Sequence, residues 1–395
     1  MLTWSGISTS SDRCAKAPFV TGTSTQMRAI RDRLTHLMKE ERLDFLVLNK
    51  PGSVAYATGH TVSIETGPSA FSGGPTTAII AATGECAVVC VNAEASNQTT
   101  WARTFAYEGV GYERHADFHE NFQSALRAAA AALEVGGRLG VEATGYPIDP
   151  VIPAASVNDI EAKLNCLRAV KCEAEKPLLQ RAAETACVGQ NAFYKYLKPG
   201  RCELEVFGDI RREMEMFAGE RIAMAGDFVS GREQTSRVGG WPSDKRIEAG
   251  DPVICDLSPR VGRYWGDSCA TVMVGTATPE FRKLFNAAKT ALDHAVSIMK
   301  PGLRISDLDA QLREIVRREG FHYPHHSGHS IGTAVPEWPR IVPFETAALQ
   351  EGMFMMVEPG AYDPDIGGAR CEWTVEIVSG GCQVIAPFEH RVTST

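Results

Sequence analysis

Residues 252–275 read Pro-Val-Ile-Cys-Asp-Leu-Ser-Pro-Arg-Val-Gly-Arg-Tyr-Trp-Gly-Asp-Ser-Cys-Ala-Thr-Val-Met-Val-Gly. Two β-rich runs flank a Pro/Gly turn signal, which predicts a hairpin. A turn centred near 261–262 would place Asp256 directly across from Asp267, with Cβ atoms about 4.5–5.5 Å apart. Two like charges in that position are destabilising unless a cation lies between them. The hairpin therefore suggests a metal site, although one aspartate that caps the turn and one that faces solvent would explain the same pattern.

The chain around this hairpin is organised as a repeat. A predicted helix ends at Lys-Pro-Gly twice, at 198–200 and at 300–302, and each time a second predicted helix follows, over 203–217 and over 306–319. The offset, 300 minus 198, is 102 residues. Strand-like runs follow both helix pairs. The pattern therefore predicts a duplicated α+β unit with a pseudo-twofold axis.

Both copies of the unit carry a pair of carboxylates. The offset brings Asp256 onto Glu358, and Asp267 to within three residues of Glu372. A pseudo-twofold axis would bring the two pairs together, and four carboxylates at one point cannot all stay ionised without cations. The repeat therefore predicts a metal site between the two halves.

A histidine-rich segment lies between the two carboxylate pairs. Residues 321–332 read Phe-His-Tyr-Pro-His-His-Ser-Gly-His-Ser-Ile-Gly and contain four of the ten histidines of the chain. Histidine is the commonest nitrogen ligand of metal ions, and neighbouring glycines let the backbone approach closely. A polar or pH-sensitive loop would be the usual explanation of a single histidine. The clustering favours a metal ligand in this segment.

Five motifs resemble the metal-site signature of the M24 family, which includes creatinase, aminopeptidase P, prolidase and methionine aminopeptidase. In order and spacing they are Asp256, Asp267, Gly328-His329-Ser-Ile-Gly332, Glu358-Pro-Gly360 and Arg370-Cys-Glu372. Five ordered ligand positions form a specific signal. The resemblance implies an α+β fold, in which a C-terminal pita-bread domain follows an N-terminal α/β domain of the creatinase/prolidase type.

Three parts are expected along the chain: an N-terminal arm over 1–24, the creatinase/prolidase-like domain over 25–160 and the pita-bread catalytic domain over 161–395. Strands that alternate with helices in the first domain agree with an α/β class. Members of the family are commonly homodimers. The resemblance therefore implies a homodimer, in which the loop 60–72 of one subunit borders the active site of the other.

The resemblance also implies the cofactor and its ligands. Two divalent metal ions, of Mn, Co, Zn or Fe, would activate a water molecule for attack on a C–N bond. Asp256 would chelate one metal, His329 and Glu358 would ligate the second, and Asp267 and Glu372 would bridge the two. Glu358 would in addition carry protons for the attacking water, which makes it a catalytic residue as well as a ligand.

Further residues are assigned to catalysis and substrate binding. By resemblance, His325 would line the substrate pocket as a second catalytic residue. Arg370 would support Glu372 and meet a substrate carboxylate, a role that suits its fixed fork of donors. Trp241 and Trp338 would enclose a small apolar or cationic substrate, the latter through cation–π contacts. Packing explains any single Trp equally well.

Two positions depart from the peptidases of the family. Those enzymes carry a histidine just before a Pro-Ser-Asp phrase, where this chain has Gly239, and another after the ligand loop, where this chain has Pro336. Each missing donor would cost a peptidase about 3 kcal/mol of transition-state stabilisation. The metal ligands are therefore retained while the groups that recognise a peptide are changed.

This combination leads to the hypothesis of a hydrolase with two metal ions that cleaves an amide or amidine C–N bond in a small metabolite or xenobiotic. The first alternative is an Xaa-Pro dipeptidase or aminopeptidase P-type metallopeptidase, in which other groups replace the two histidines. A metal-dependent lyase that resembles dimethylsulfoniopropionate lyase is the second alternative. A binding module without catalysis is the third, and the five retained ligands disfavour it.

Length and composition limit the partners. The chain has 395 residues, a net charge of −8 and no run of 18 apolar residues, so neither nucleic acid nor a membrane is expected as a partner. Its eleven cysteines are scattered, which suggests reduced thiols. The first residues lack a basic start followed by an apolar core, so no secretory signal is expected. These features predict a cytoplasmic enzyme with a small-molecule or short-peptide substrate.

Overall fold

The computed structural model describes residues 24–62, 71–97, 101–109, 111, 113, 115–147, 151–152 and 154–394. Its helices are α1 (Ser24–Glu40), α2 (Pro51–Thr58), α3 (Phe118–Ala132), α4 (Glu161–Ala169), α5 (Lys176–Tyr196), α6 (Glu203–Ala218), α7 (Arg232–Thr235), α8 (Pro279–Ile298) and α9 (Ile305–Arg318), with a 3₁₀ helix at Asn92–Asn97. Its strands are β1 (Phe45–Leu48), β2 (Thr77–Ala81), β3 (Cys86–Val91), β4 (Arg103–Tyr107), β5 (Arg138–Val141), β6 (Ser156–Asp159), β7 (Ala223–Ala225), β8 (Phe228–Ser230), β9 (Pro252–Asp256), β10 (Ser258–Val261), β11 (Tyr264–Trp265), β12 (Cys269–Met273), β13 (Gly328–Ser330), β14 (Glu337–Ile341), β15 (Phe354–Val357), β16 (Gly360–Asp363), β17 (Gly367–Arg370), β18 (Trp373–Val378) and β19 (Gly381–Ile385). Residues 1–23 of the expected arm and 63–70 of the expected loop lie outside the described residues.

A sheet in the order β4-β3-β2-β1-β5-β6 organises the N-terminal part of the described chain. Its strand β1 is an uninterrupted apolar run, Phe-Leu-Val-Leu, because helices cover both faces of the sheet. Leu46 belongs to a buried cluster with Leu34 of α1 on one face. Val47 belongs to a second cluster with Phe122 of α3 on the other face. The result is a three-layered α/β domain.

Backbone hydrogen bonds reveal the repeat in the C-terminal part. The amide of Gly200 donates to Ile247, and the amide of Gly302 donates to Leu349, in both cases at 2.8 Å. Both glycines have a positive φ, +89° and +88°, which a residue with a Cβ rarely adopts. Two further backbone hydrogen bonds recur at the same offset. The bond from Ile247 N to Arg201 O corresponds to the bond from Leu349 N to Leu303 O, both at 2.9 Å. The bond from Glu203 N to Lys245 O corresponds to the bond from Ile305 N to Ala347 O, both at 3.0 Å. These pairs confirm the duplicated unit.

The two helix pairs pack into two different apolar clusters, and strand β15 contributes side chains to both. In α6, Val206 and Ile210 are buried one helical turn apart, and Leu308 and Leu312 are their equivalents in α9. The first cluster includes residues of β9 and β12, and the second includes residues of β15 and β18. The apolar faces of these strands are therefore covered by the helices.

The register of the central hairpin differs from the prediction. Asp256 lies opposite Cys269 rather than Asp267, because the turn is at 262–263 and Val261 pairs with Tyr264. Gly262 adopts φ +59° there, which suits a tight two-residue turn. The shift is two residues, an even number, so Asp256 and Asp267 still share one face of the hairpin. The prediction of directly facing carboxylates was wrong, while the predicted face was right.

Candidate metal centre

Four of the predicted ligands line one cavity of about 280 Å³ at the junction of the two halves. These are Asp256, Asp267, His329 and Glu358. The fifth, Glu372, is buried beside them, and Asp267, His329 and Glu372 offer ligand atoms that all lie within 4.8 Å of one another. The structure therefore brings the five residues to one place.

Strand ends explain this convergence. Asp256 is the last residue of β9, and Glu358 directly follows β15. Glu372 directly precedes β18, whose Trp373 pairs with Val357 of β15, so Glu358 and Glu372 lie one step beyond that pair. His329 is the central residue of β13, which pairs with β15 as well. A polar residue at a strand end can leave the apolar core without disturbing the ladder.

The ring of His329 is oriented as a metal ligand. Its Nδ1 lies 2.9 Å from the carbonyl oxygen of Ser330, and since a carbonyl only accepts, Nδ1 carries the proton and Nε2 has a free lone pair. Nε2 lies 3.5 Å from Oδ2 of Asp267 and 3.6 Å from Oε1 of Glu358. Fixing the tautomer through the other ring nitrogen is the usual support of a ligating imidazole.

The cluster of carboxylates holds more negative charge than the protein cations beside it can balance. Burial raises the pKa of Asp256 and of Glu372 well above the usual range, and neighbouring carboxylates add to the rise, which the charge of Arg370 offsets only in part. Within the described residues, Oε1 of Glu358 and Oε2 of Glu372 are buried without a hydrogen-bond partner. Oxygens and a nitrogen with free lone pairs, surrounded by negative charge, form a donor set that fits divalent cations.

Glu358 stays ionised although it is buried. Burial opposes its ionisation, but the imidazoles of His326 and His329 and the charge of Arg370 outweigh burial and lower its pKa to about 2. The same negative surroundings act on His329 in the opposite sense. Burial disfavours its charged form, but Asp267 and Glu358 outweigh burial and raise its pKa. The cavity is thus an electronegative site that attracts cations.

Arg370 lines the cavity but is occupied by protein groups. One terminal nitrogen of its guanidinium lies 2.6 Å from Oδ2 of Asp256 and 2.7 Å from Oδ2 of Asp227. The other terminal nitrogen donates to the carbonyl of Val238 at 3.2 Å. Arg370 therefore braces Asp256 rather than Glu372, and its donors have partners without a substrate carboxylate.

His325 also lines the cavity, and both of its ring nitrogens are engaged. Nδ1 donates to the carbonyl of His326 at 2.7 Å, and Nε2 lies 2.9 Å from the hydroxyl of Tyr362. Burial, assisted by the charge of Arg370, lowers the pKa of His325 to about 3. The ring is therefore neutral, and in this arrangement it has no N–H left for a substrate.

The two tryptophans assigned to substrate binding lie elsewhere. Trp241 is 77% exposed, and Trp338 packs against the apolar core of the second half. Neither is among the described residues that line the cavity. The structure therefore gives no support to the predicted enclosure of the substrate by these rings.

Sequence reasoning missed two residues at the cavity. Asp227 fills the space beside position 239, where a Cβ on Gly239 would lie only 2.3 Å from its Oδ2. No local pattern pointed to Asp227, because the fold brings it there. The second is His326, which is another residue that lines the cavity. The histidine-rich segment contained this signal, but the family pattern drew attention to its neighbours.

Comparison with known proteins identifies the family. Residues 177–379 match the model of metallopeptidase family M24. The chain belongs to metallopeptidase family M24. Residues 31–173 match the creatinase/prolidase N-terminal domain. The M24 enzyme described here therefore has the expected α+β fold, acts on C–N bonds and, as its family name implies, depends on divalent metal.

Relatives of this M24 enzyme include two archaeal proteins. The Xaa-Pro dipeptidase of Pyrococcus furiosus is 32% identical over 235 residues, which are 59% of this chain and 67% of that protein. The Xaa-Pro dipeptidase of Pyrococcus horikoshii is 30% identical over 269 residues, 66% of this chain and 76% of the relative. Among solved structures, the prolidase from Pyrococcus furiosus is 26% identical with a TM-score of 0.73, over 90% of this chain and all of that chain. X-Pro aminopeptidase from Thermotoga maritima, at 21% identity, shares the fold with a TM-score of 0.77, over 92% of this chain and 99% of that chain.

Other expectations fare differently. All ten cysteines of the described residues are free thiols. Within the described ranges, no helix combines the length and apolar character that crossing a bilayer requires. The homodimer, the cytoplasmic location and the identity of the metal stay predictions.

Proposed function

We propose that this M24 enzyme is a metal-dependent dipeptidase that cleaves Xaa-Pro dipeptides. The observation that carries the proposal is the convergence of Asp256, Asp267, His329, Glu358 and Glu372 on a cavity of about 280 Å³. Ligand pockets usually measure roughly 300–1,000 Å³, so this cavity suits a small substrate. The two archaeal relatives named Xaa-Pro dipeptidases support this alternative better than the non-peptide amidohydrolase that the sequence first suggested.

The five residues would hold two divalent cations. When bound, such cations polarise the substrate carbonyl and lower the pKa of a water molecule. Glu358 is ionised, and its Oε1 lies 3.0 Å from Nε2 of His326 without regular hydrogen-bond geometry, so Oε1 can accept a proton from the attacking water. The water oxygen then bonds to the carbonyl carbon, the C–N bond breaks, and Glu358 returns the proton to the leaving nitrogen. Arg370 holds Asp256 in place during these steps.

An assay of the purified protein tests the proposal. With Mn²⁺ or Co²⁺ added, the enzyme should release proline from Xaa-Pro dipeptides, and exhaustive chelation should abolish the release. In water labelled with ¹⁸O, one labelled oxygen should enter the carboxyl product, because hydrolysis adds solvent oxygen while a lyase does not. Lack of proline release with either metal would refute the proposal.

A second candidate rests on Gly239 and Pro336. Neither position can supply the imidazole of a typical family peptidase, which favours a non-peptide amide or amidine as substrate. Turnover of small amides with no turnover of Xaa-Pro dipeptides would favour this candidate. Comparison of kcat/KM for Xaa-Pro dipeptides and for acylated amines separates the two.

A further inference from the structure

His326 is an imidazole of the cavity without a place in the five-residue ligand set. It directly follows His325, and it lines the cavity together with Pro336. Its Nε2 lies 3.0 Å from Oε1 of Glu358, the atom proposed to handle protons. His326, His329 and Glu358 could together hold a metal ion by distance alone, since their ligand atoms lie within 4.8 Å of one another. The protonation of the rings decides between this possibility and a different role.

Hydrogen-bond partners determine where each ring carries its proton. Carbonyl oxygens only accept, so Nδ1 of His329 and Nδ1 of His325, which face carbonyls, are protonated. A guanidinium only donates, so Nδ1 of His326, which lies 3.1 Å from Nε of Arg340, accepts. His326 is therefore the one imidazole of these three that carries its proton on Nε2. A nitrogen that carries a proton has no lone pair for a metal ion, which argues against His326 as a ligand.

The register of the second half keeps Arg340 in this position. Strands β13 and β14 are antiparallel, and Arg340 lies opposite His329 in their ladder. The side chain of Arg340 can thus reach the segment that precedes β13, where His326 lies. The tautomer of His326 is set by a neighbouring strand and not by the cation site.

The Nε2–H of His326 faces Oε1 of Glu358, and this contact favours the ionised form of the carboxylate. Although Nε2 lies 3.0 Å from Oε1 of Glu358, no donor among the described residues reaches that oxygen with hydrogen-bond geometry. The N–H therefore faces the cavity beside Glu358, close to the place where the reacting carbonyl must lie. It is a preorganised donor of the kind that stabilises a developing oxyanion.

We propose that His326 is a catalytic hydrogen-bond donor, whose Nε2–H binds the oxygen of the scissile carbonyl as the carbon becomes tetrahedral. The donor would replace the imidazoles that are missing at Gly239 and Pro336. A Cβ at position 239 would lie 2.3 Å from Oδ2 of Asp227, so a donor at this position would have to displace Asp227, whereas His326 needs no such change. This inference rests on the proposed function, since it requires hydrolysis of a carbonyl substrate.

The test compares two substitutions of His326 in the Mn²⁺-loaded enzyme. His326→Leu removes the donor and should lower kcat for an Xaa-Pro dipeptide by about 10²–10³-fold with little change in KM, as expected for an interaction of the transition state. His326→Gln retains an N–H donor, and its kcat should be at least about tenfold higher than that of His326→Leu. Arg340→Met should also lower kcat, because without the donor of Arg340 the proton of His326 can move from Nε2 to Nδ1. His322→Leu, which removes an exposed histidine of the same segment, is the matched control and should retain wild-type kcat.

Calorimetry with Mn²⁺ alone separates a donor from a ligand. His326→Leu and His326→Gln should bind the same number of Mn²⁺ ions as the wild type with unchanged affinity, and thermal unfolding should show that both variants are folded. A loss of Mn²⁺ affinity in both variants would make His326 a ligand and overturn the inference. Wild-type kcat in His326→Leu would overturn it as well and leave the proposed function intact. A wild-type enzyme that does not cleave Xaa-Pro dipeptides would overturn the proposed function, and the inference with it.

Discussion

Removal of the Glu337 carboxylate should destabilise the protein strongly, although this residue does not touch the proposed ligands. Glu337 begins β14 and is buried. One carboxylate oxygen contacts the guanidinium of Arg168, and the other lies 2.9 Å from Nζ of Lys171. Arg168 also lies 3.2 Å from Oγ of Ser53 in α2 and 3.0 Å from Oγ1 of Thr333. The cluster therefore joins the N-terminal domain to the segment that leads into β14.

The magnitude follows from the electrostatics of the cluster. Burial alone would raise the pKa of Glu337, but Arg168 and Lys171 outweigh burial and lower it from 4.5 to about 2. Such a pKa corresponds to about 3 kcal/mol of stabilisation at neutral pH. Glu337→Gln would also remove the direct ion-pair partner of two buried cations, Arg168 and Lys171, a change that typically costs about 3–5 kcal/mol. The pKa shift and the loss of the ion pairs therefore predict a destabilisation of the same order of magnitude.

The pH dependence has a definite sign. Because the folded protein holds the pKa of Glu337 below its unfolded value, the stabilisation is complete above about pH 4.5. It is lost as the pH falls from 4.5 towards 2. The free energy of unfolding of the wild type should therefore exceed that of Glu337→Gln at pH 7, and the difference should shrink below pH 4.5.

Urea unfolding of the wild type and two variants checks this reasoning. Glu314→Gln is the matched control, because Arg317 and Arg318 also lower the pKa of Glu314 to about 2, but at the exposed surface. Solvent screens the exposed cluster, so the control should unfold close to the wild type. Equal losses of stability in Glu337→Gln and Glu314→Gln would refute the argument from burial.

Gly239→His should lower kcat/KM for Xaa-Pro dipeptides rather than supply the missing imidazole. The new Cβ would lie 2.3 Å from Oδ2 of Asp227 and would push that carboxylate away from Arg370. A gain in kcat/KM would contradict this prediction. Arg370→Lys keeps the charge but loses the fork that joins Asp227 to Asp256, so calorimetry should show Mn²⁺ affinity lower by about tenfold or more. Unchanged affinity would mean that Arg370 does not brace Asp256. Removal of metal by a chelator should lower the midpoint of thermal unfolding reversibly, because the clustered carboxylates then repel one another. Mn²⁺ at about 100 times its Kd should raise the free energy of unfolding by about 2.7 kcal/mol. A midpoint that is insensitive to Mn²⁺ would argue against the metal site.

The repeat could be recognised from the sequence because it depends on local features, namely the spacing of apolar residues and the Lys-Pro-Gly segments. The second helices of the two units were expected over 203–217 and 306–319, and they occupy Glu203–Ala218 and Ile305–Arg318. Apolar spacing and a glycine after proline suffice to locate such helices. Strand β4 and helix α4 were missed, because a short strand and a short helix have little periodicity and depend on the neighbours that they pack against.

The register of the central hairpin shows where local reasoning ends. Alternation along the strands predicted that Asp256 and Asp267 share a face, which depends only on the parity of their separation. Whether the turn lies at 261–262 or at 262–263 is decided by the ladder of β9 with β12 and by the conformation of Gly262. A pattern with period two cannot distinguish these registers.

The sequence by itself determined which side chains can serve as ligands and that they come as two related pairs with a histidine between them, because residue type and spacing are properties of the chain alone. Only the tertiary structure decided how the remaining groups are used. In the folded protein, both ring nitrogens of His325 are hydrogen-bonded, Trp241 is exposed to solvent and Asp227 lies next to Arg370. The tertiary structure also sets the proton of His326 through Arg340. These outcomes depend on partners distant along the chain, and hydrogen-bond donors and acceptors are assigned only when the fold brings such partners together.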